Sequence, residues 1–237
     1  MKQHSSGFII GIVAAIILGF GVAAGVMLGL QSAKGLGYEP TNVLRATKTG
    51  PNSATLKIQT FPDSQVCHAD EGNPQINWVT YCPTTSFEVP ANSTITVEIS
   101  NYDSATTLIN DYFRHVHGTL DGTALVDGKS VTEVALDAPG HTFTLQSVPD
   151  SPNPLFVSVP LTGVASDAKA TENINGNMYP KPVVTSFQFK TGPAGTYIWH
   201  CYDPCGDTTY ARSAPYGFGG PMSTTGWMAG TMTVTSY

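Results

Sequence analysis

Charge is what this sequence has least of. Only 12% of its 237 residues are Asp, Glu, Lys or Arg, where soluble domains usually carry about 25%. The 11 Lys and Arg against 17 Asp and Glu leave a formal charge of −6. No basic stripe exists to release counterions from a phosphate backbone, which excludes nucleic-acid binding as the main task. Six His are too few for an enzyme built on several copper clusters. A G-x-S-x-G elbow, a phosphate-cradling glycine loop and a paired set of carboxylates in a pocket are all missing, so an independent hydrolase is disfavoured. The acidic Asp70-Glu71 step reads as a solvated face. Helical periodicity over three turns is also lacking beyond residue 30. Glycine (24) and proline (17) fill the gap, and the 41% hydrophobic content is enough for a core. Charge-driven disorder is therefore excluded.

One long apolar run stands at the N-terminus. Residues 8–30 (FIIGIVAAIILGFGVAAGVMLGL) carry no charge, and as a helix they span roughly 34 Å, enough for a hydrocarbon core of about 30 Å. The apolar core of a cleaved secretory signal is shorter, about 7–15 residues, so an uncleaved transmembrane anchor is expected. Gly21, Gly25 and Gly29 recur on one face and would admit a second helix at close range. Lys2 and Lys34 flank the run with little bias, so orientation must be read from the residues beyond Lys34. Cys67 and Cys82 bracket the polar insertion HADEGNPQINWVTY and are expected to form a disulfide. Asn92-Ser93-Thr94 is a glycosylation sequon. Both place the globular part outside the cytoplasm.

After a polar linker, apolar and polar residues alternate in short runs at 53–60, 94–100, 141–147, 155–159, 184–190, 196–200 and 231–235, the period-two signature of half-buried strands. Turn residues punctuate them at Pro90-Ala91-Asn92, Asp121-Gly122, Asp127-Gly128, Pro139-Gly140 and Gly192-Pro193. Seven or so strands with such turns predict an all-β, Greek-key sandwich. The expected division is an anchor with a short tail at 1–30, a linker at 31–50 and a sandwich domain at 51–237.

Metal-binding residue types gather near the C-terminus, in GTYIWHCYDPCG ending at Gly206 and in MAGTMTV starting at Met228. A strand delivers Cys201 to a loop and Cys205 follows four residues later, with Pro204 preventing strand continuation between them. Two thiolates at this spacing can curl onto one ion, and soft sulfur selects copper, zinc or an iron–sulfur cluster. A short-loop Cys201–Cys205 disulfide is the competing arrangement. Met228 offers a thioether before the last strand. His141 opens a strand after Pro139-Gly140 and so sits at a sandwich end, where it is the favoured nitrogen ligand. His200 touches Cys201 in sequence, but adjacent strand residues point to opposite faces, which makes it a lesser candidate. His115 and His117 share one face and are also lesser candidates, for the same site or a second one.

Cys201-x-x-x-Cys205-Gly206, followed by Met228 and a Gly-Thr-x-x-Val strand, resembles the extracytoplasmic cupredoxin domain of cytochrome c oxidase subunit II. A single anchor ahead of a β-sandwich resembles the one-helix versions of that subunit. The resemblance covers about residues 84–237 and the anchor. It implies that His141 is the first imidazole of a copper site, that Cys201 and Cys205 are bridging thiolates, that Asp203 donates its backbone carbonyl, and that Met228 is axial. The family's second His falls on Thr225 here, no His follows Cys201, and the interval from Cys205 to Met228 is longer than the family's.

The expected function is therefore a membrane-anchored, extracytoplasmic copper protein with one or two coppers. It would be a non-catalytic electron-accepting subunit that passes electrons to a polytopic haem–copper oxidase subunit. Two alternatives stand beside it: a free-standing mononuclear cupredoxin shuttle, and a metal-free docking module stapled by disulfides.

Overall fold

The computed structural model describes residues 42–68, 77–108, 110–149, 151–203 and 220–236. The proposed anchor at residues 8–30, Asp70-Glu71, Pro204 and Cys205 lie outside the described residues. Among the described residues no helix is long and apolar enough to cross a membrane.

Strands supply nearly all the regular structure of the described residues. In chain order the strands are β1 (Leu44–Arg45), β2 (Thr47–Gly50), β3 (Ser53–Phe61), β4 (Thr80–Cys82), β5 (Ser86–Pro90), β6 (Thr94–Asn101), β7 (Ala124–Val126) and β8 (Lys129–Val131). They continue with β9 (Pro139–Ser147), β10 (Phe156–Thr162), β11 (Thr171–Ile174), β12 (Asn177–Pro180), β13 (Val183–Lys190), β14 (Gly195–His200) and β15 (Ala229–Thr235). Two single 3₁₀ turns, Asp111–Arg114 and Gly220–Ser223, interrupt them. One sheet runs β1-β5-β15-β14-β9-β10, and the other runs β2-β3-β6-β13-β7-β8 with β4 added beside β3. β11 and β12 form a separate hairpin.

Side-chain alternation explains why the two sheets face each other. β6 buries every second residue (Ile95, Val97, Ile99), and β3 buries Ala54, Leu56 and Ile58. Across from them stand Phe87, Phe143, Leu145, Trp199 and Met232 of the other sheet, in one continuous core. Phe143 and Phe187 meet across the sheets with ring centroids 5.6 Å apart. Trp199 stacks between Phe87 and Phe143 at 5.3 and 5.4 Å, and its indole N–H donates to the Thr85 carbonyl at 2.9 Å. Gly230 opposes Trp199 in the β14–β15 register. A Cβ there would run into the Thr85 carbonyl, so only glycine lets the two backbones approach.

Residues 44–50, expected in the linker, instead belong to the sandwich. β1 runs parallel to β5 and β2 pairs antiparallel with β3, because Ala46 is buried and Leu44 packs on the core. The compact unit starts at Asn42. The expected turn at Pro139-Gly140 is the first pair of β9, whose outer as well as inner side chains are buried. Strands also outnumber expectation, since β4, β7, β8, β11 and β12 have three or four residues each and cannot display a period.

Cys67 and Cys82 form a disulfide with Cα atoms 5.9 Å apart. It ties the 61–68 segment to the end of β4, next to Tyr81, whose N–H donates to the Trp227 carbonyl. His68 stacks on Trp227 at 4.1 Å. The two cysteines are 15 residues apart, a loop for which chain-entropy arguments give about 3 kcal/mol. The double replacement Cys67→Ser with Cys82→Ser is expected to lower unfolding stability by about that amount. Chemical denaturation beside the parent checks it.

Candidate metal centre

Four chain segments converge at one end of the sandwich: the exit of β6, the start of β9, the exit of β14 and the approach to β15. The antiparallel registers set this up. His141 lies on the same face of β9 as Phe143 and Leu145, one step beyond the core. Along β14, Tyr197 and Trp199 point inward, and Cys201 continues that face just past the strand. Met228 opposes Cys201 on the β15 side, with the Cys201 N–H donating to the Met228 carbonyl at 2.9 Å. His141, Cys201, Asp203 and Met228 are all buried, none more than 2% exposed.

The His141 imidazole is held at both nitrogens. Nε2 lies 3.1 Å from Asp103 Oδ2 and Nδ1 lies 3.9 Å from Cys201 Sγ. Asp103 accepts at Nε2 because a carboxylate has no proton to give, so Nδ1 is the nitrogen presented to the sulfur. Asp103 is in turn fixed: its other oxygen accepts from the Ser104 N–H at 2.7 Å. Its backbone N–H donates to Asn101 Oδ1, and Asn101 also binds Thr60 and the Thr162 carbonyl. Gly140 makes the approach possible, since a Cβ there would strike the Ser104 carbonyl.

The sulfur has its own cradle. The Thr142 N–H donates to Cys201 Sγ at 3.4 Å, and the Asp203 carbonyl oxygen lies 3.6 Å from it. Thr142 Oγ1 accepts from the Tyr202 N–H at 2.7 Å, turning the chain so that the Asp203 carbonyl comes back over Cys201. The Asp203 side chain accepts from Thr106 Oγ1 at 2.7 Å.

Electrostatics follow from this packing. Burial pushes the His141 imidazole towards the neutral form. The hydrogen bond to Asp103 and the sulfur of Cys201 outweigh burial and hold the imidazolium up to about 10. Burial raises Asp103, but the hydrogen bond and charge of His141 bring it below the usual carboxylate range. Asp203 is raised to about 7 by burial first and by the nearby Cys201 charge second, against the Thr106 hydrogen bond.

The lesser candidates are placed elsewhere. His200 extends from the opposite side of β14 to Cys201 and sits 6.0 Å from the Tyr202 ring. His115 bonds Glu133 at 3.1 Å and faces Asp111 at 3.5 Å. His117 bonds the Tyr112 carbonyl at 3.1 Å and stacks on the Tyr112 ring. The two rings are 6.2 Å apart, in a cluster around the first 3₁₀ turn. Thr225, where the subunit II pattern has its second imidazole, is exposed. Among the described residues no group of three or more His, Cys, Asp and Glu side chains closes on one point.

Comparison with known proteins adds a general likeness. The auracyanin B structure covers 80% of this chain and 94% of its own at 16% identity, with a TM-score of 0.31. Reduced rusticyanin covers 79% and 84% at 16% identity and TM-score 0.33. Rusticyanin from Thiobacillus ferrooxidans covers 80% and 86% at 15% identity and TM-score 0.31. No protein-family model matches the sequence, and no curated protein matches it. Likeness of this degree transfers neither ligand nor activity, which rest on the residues above.

The sequence alone does not single out Asp103, Thr106 or Thr142. Asp103 carries a weak signal, a polar run Asn101-Tyr102-Asp103-Ser104 just after the clean alternation of β6. Nothing in sequence order links it to a histidine 38 positions on.

Proposed function

We propose that this domain binds copper through His141 Nδ1 and Cys201 Sγ and works as an electron-transfer module. The supporting observation is the 3.9 Å separation of those two atoms inside a buried, oriented pair. A thiolate and an imidazole nitrogen turned towards each other in one buried pocket are a donor pair of the soft kind that copper favours. The residues present therefore fit the ion. The Asp203 carbonyl and Met228 are the further donors at this end of the sandwich, and Cys205, four residues beyond Cys201, completes the proposed set.

Bound copper supplies one-electron redox chemistry, and thiolate with imidazole selects it over harder ions. The chain's own residues do the rest. Asp103 keeps the Nε2 proton and aims Nδ1, raising the basicity of the ligating nitrogen. The Thr142 N–H and the surrounding core hold the sulfur still and exclude water. To hold an ion the imidazole must be neutral and the thiol deprotonated, so affinity would fall as pH falls.

The wider reading makes the chain a subunit II-like protein, tethered through residues 8–30 with the sandwich outside the cytoplasm. Its partner would be a polytopic haem–copper oxidase subunit, and the Gly21, Gly25 and Gly29 stripe is the proposed helix contact. The test of the copper reading is titration of purified protein with Cu(II), followed by absorption and electron paramagnetic resonance. A thiolate-to-copper band at one equivalent, or a coupled spectrum at two, is expected. Its absence with fully reduced thiols overturns the proposal. Co-purification of a haem subunit from native membranes tests the oxidase part separately.

A further inference from the structure

A line of aromatic rings leads from the residue after Cys201 to the protein surface. Tyr202 stacks on Phe113 with centroids 4.8 Å apart and planes within 10°. Phe113 meets Tyr112 edge-on at 5.3 Å. Tyr112 is 45% exposed, stacks on His117 at 4.2 Å and lies 6.3 Å from Phe156, itself 39% exposed. Each link is held in place. Gln146 Nε2 donates to Tyr202 Oη, and the Tyr202 backbone is pinned by Thr142. The 3₁₀ turn carrying Tyr112 and Phe113 is capped by Asn110 and clamped by Arg114 to both Asp111 and Glu133. The turn buries no residue of its own, so core packing does not account for it.

Resting on the copper reading, we infer that Phe113 and Tyr202 form the route by which an electron entering at the exposed Tyr112 position reaches the Cys201 end of the sandwich. Electronic coupling decays more slowly across close-packed, polarisable rings than across gaps, and stacked or edge-on rings at these spacings leave no gap. A one-electron carrier at the Tyr112 surface would give up one electron. Copper(II) held by Cys201 and His141 would take it up as copper(I). The rings mediate without themselves being oxidised, and no bond or proton moves.

A second ring cluster gives the control. Phe61 stacks on Tyr102 at 4.6 Å and meets Tyr179 at a tilt at 5.0 Å, and Tyr102 adjoins Asp103, so the β11–β12 hairpin approaches the His141 side by another way. A ruthenium polypyridyl photoreductant is attached to an introduced histidine, at Tyr112→His or at Met178→His, with His115 and His117 replaced by Gln in both. Electron arrival is read as bleaching of the copper–thiolate band. Phe113→Leu is expected to slow arrival from position 112 several-fold and leave arrival from position 178 unchanged. The band position and reduction potential should also stay fixed, which a merely structural effect at the site would not allow. Unchanged arrival from position 112, or equal slowing from both positions, overturns the route while copper binding stands. If the unlabelled protein shows no thiolate band, the copper reading fails and takes the route with it.

Discussion

On the proposed copper reading, exchanging the Cys201 sulfur for oxygen, Cys201→Ser, will leave a folded domain that no longer takes up copper. The side chain sits 3.9 Å from His141 Nδ1, 3.6 Å from the Asp203 carbonyl and 3.4 Å from the Thr142 N–H. A serine hydroxyl is nearly the same shape, and that carbonyl and N–H remain to satisfy it, so the domain should still fold, losing about 1–3 kcal/mol through the weaker contact with the imidazolium. Copper loses its soft, charged donor. Because changing only an outer-shell partner already costs about 10–100-fold in metal affinity, losing the thiolate itself should cost more than that. The thiolate band should vanish entirely. Competition with a chelator of known affinity measures the first effect and absorption the second. Retained, tight copper with the parent spectrum in Cys201→Ser would remove this cysteine from the site.

The strands that frame the site are legible in the sequence for a definite reason. β3, β6, β9, β13, β14 and β15 each run six to nine residues, long enough for alternation to show, and they are the strands that meet the core from both sheets. The hairpins β7–β8 and β11–β12 are harder, because three or four half-exposed residues have no face to declare. Their turns do carry signals. Asp127-Gly128 and Asn175-Gly176 both adopt positive φ, as two-residue hairpin turns require. The first stands out as a turn, whereas the second is submerged in the polar stretch from Glu172 to Asn177. β1 and β2 hide in a segment whose only deeply buried residue is Ala46.

At the site, the placement of His141 and Cys201 at one end follows from strand order alone, whereas their mutual geometry does not. That geometry depends on Asp103, which reaches His141 only because Gly140 lets β9 press against the 101–104 turn. Sequence spacing carries no record of such a contact. The aromatic line from Tyr202 to Tyr112 is equally invisible, since Phe113 and Tyr202 lie on distant segments and meet only in the folded chain.

The metal-free domain should be most stable in mild acid, and three groups set the shape of that profile. His141 rises from 6.5 to about 10 on folding. Its stabilisation is complete below pH 6.5 and disappears as pH climbs through 10. Asp103 is lowered from 3.8, so its contribution is complete above 3.8 and is lost as pH falls through the lower folded value. Asp203 rises from 3.8 to about 7; its contribution is whole below 3.8 and fades as pH rises through 7. Stability should therefore peak near pH 4 and then fall in two limbs, one between about 4 and 7 and one between about 6.5 and 10. The first limb amounts to something on the order of 4 kcal/mol. Asp203→Asn should flatten that first limb and spare the second, and Asp103→Asn should flatten the second. Asp103→Ala goes further, because it leaves the buried imidazole without its charge partner, a loss of about 3–5 kcal/mol in mild acid. Urea unfolding of the four metal-free proteins across pH 3 to 10 reads all of this directly. A parent profile that instead rises from pH 5 to 9 would mean that His141 is neutral in the fold, and the Asp103–His141–Cys201 arrangement would have to be redrawn.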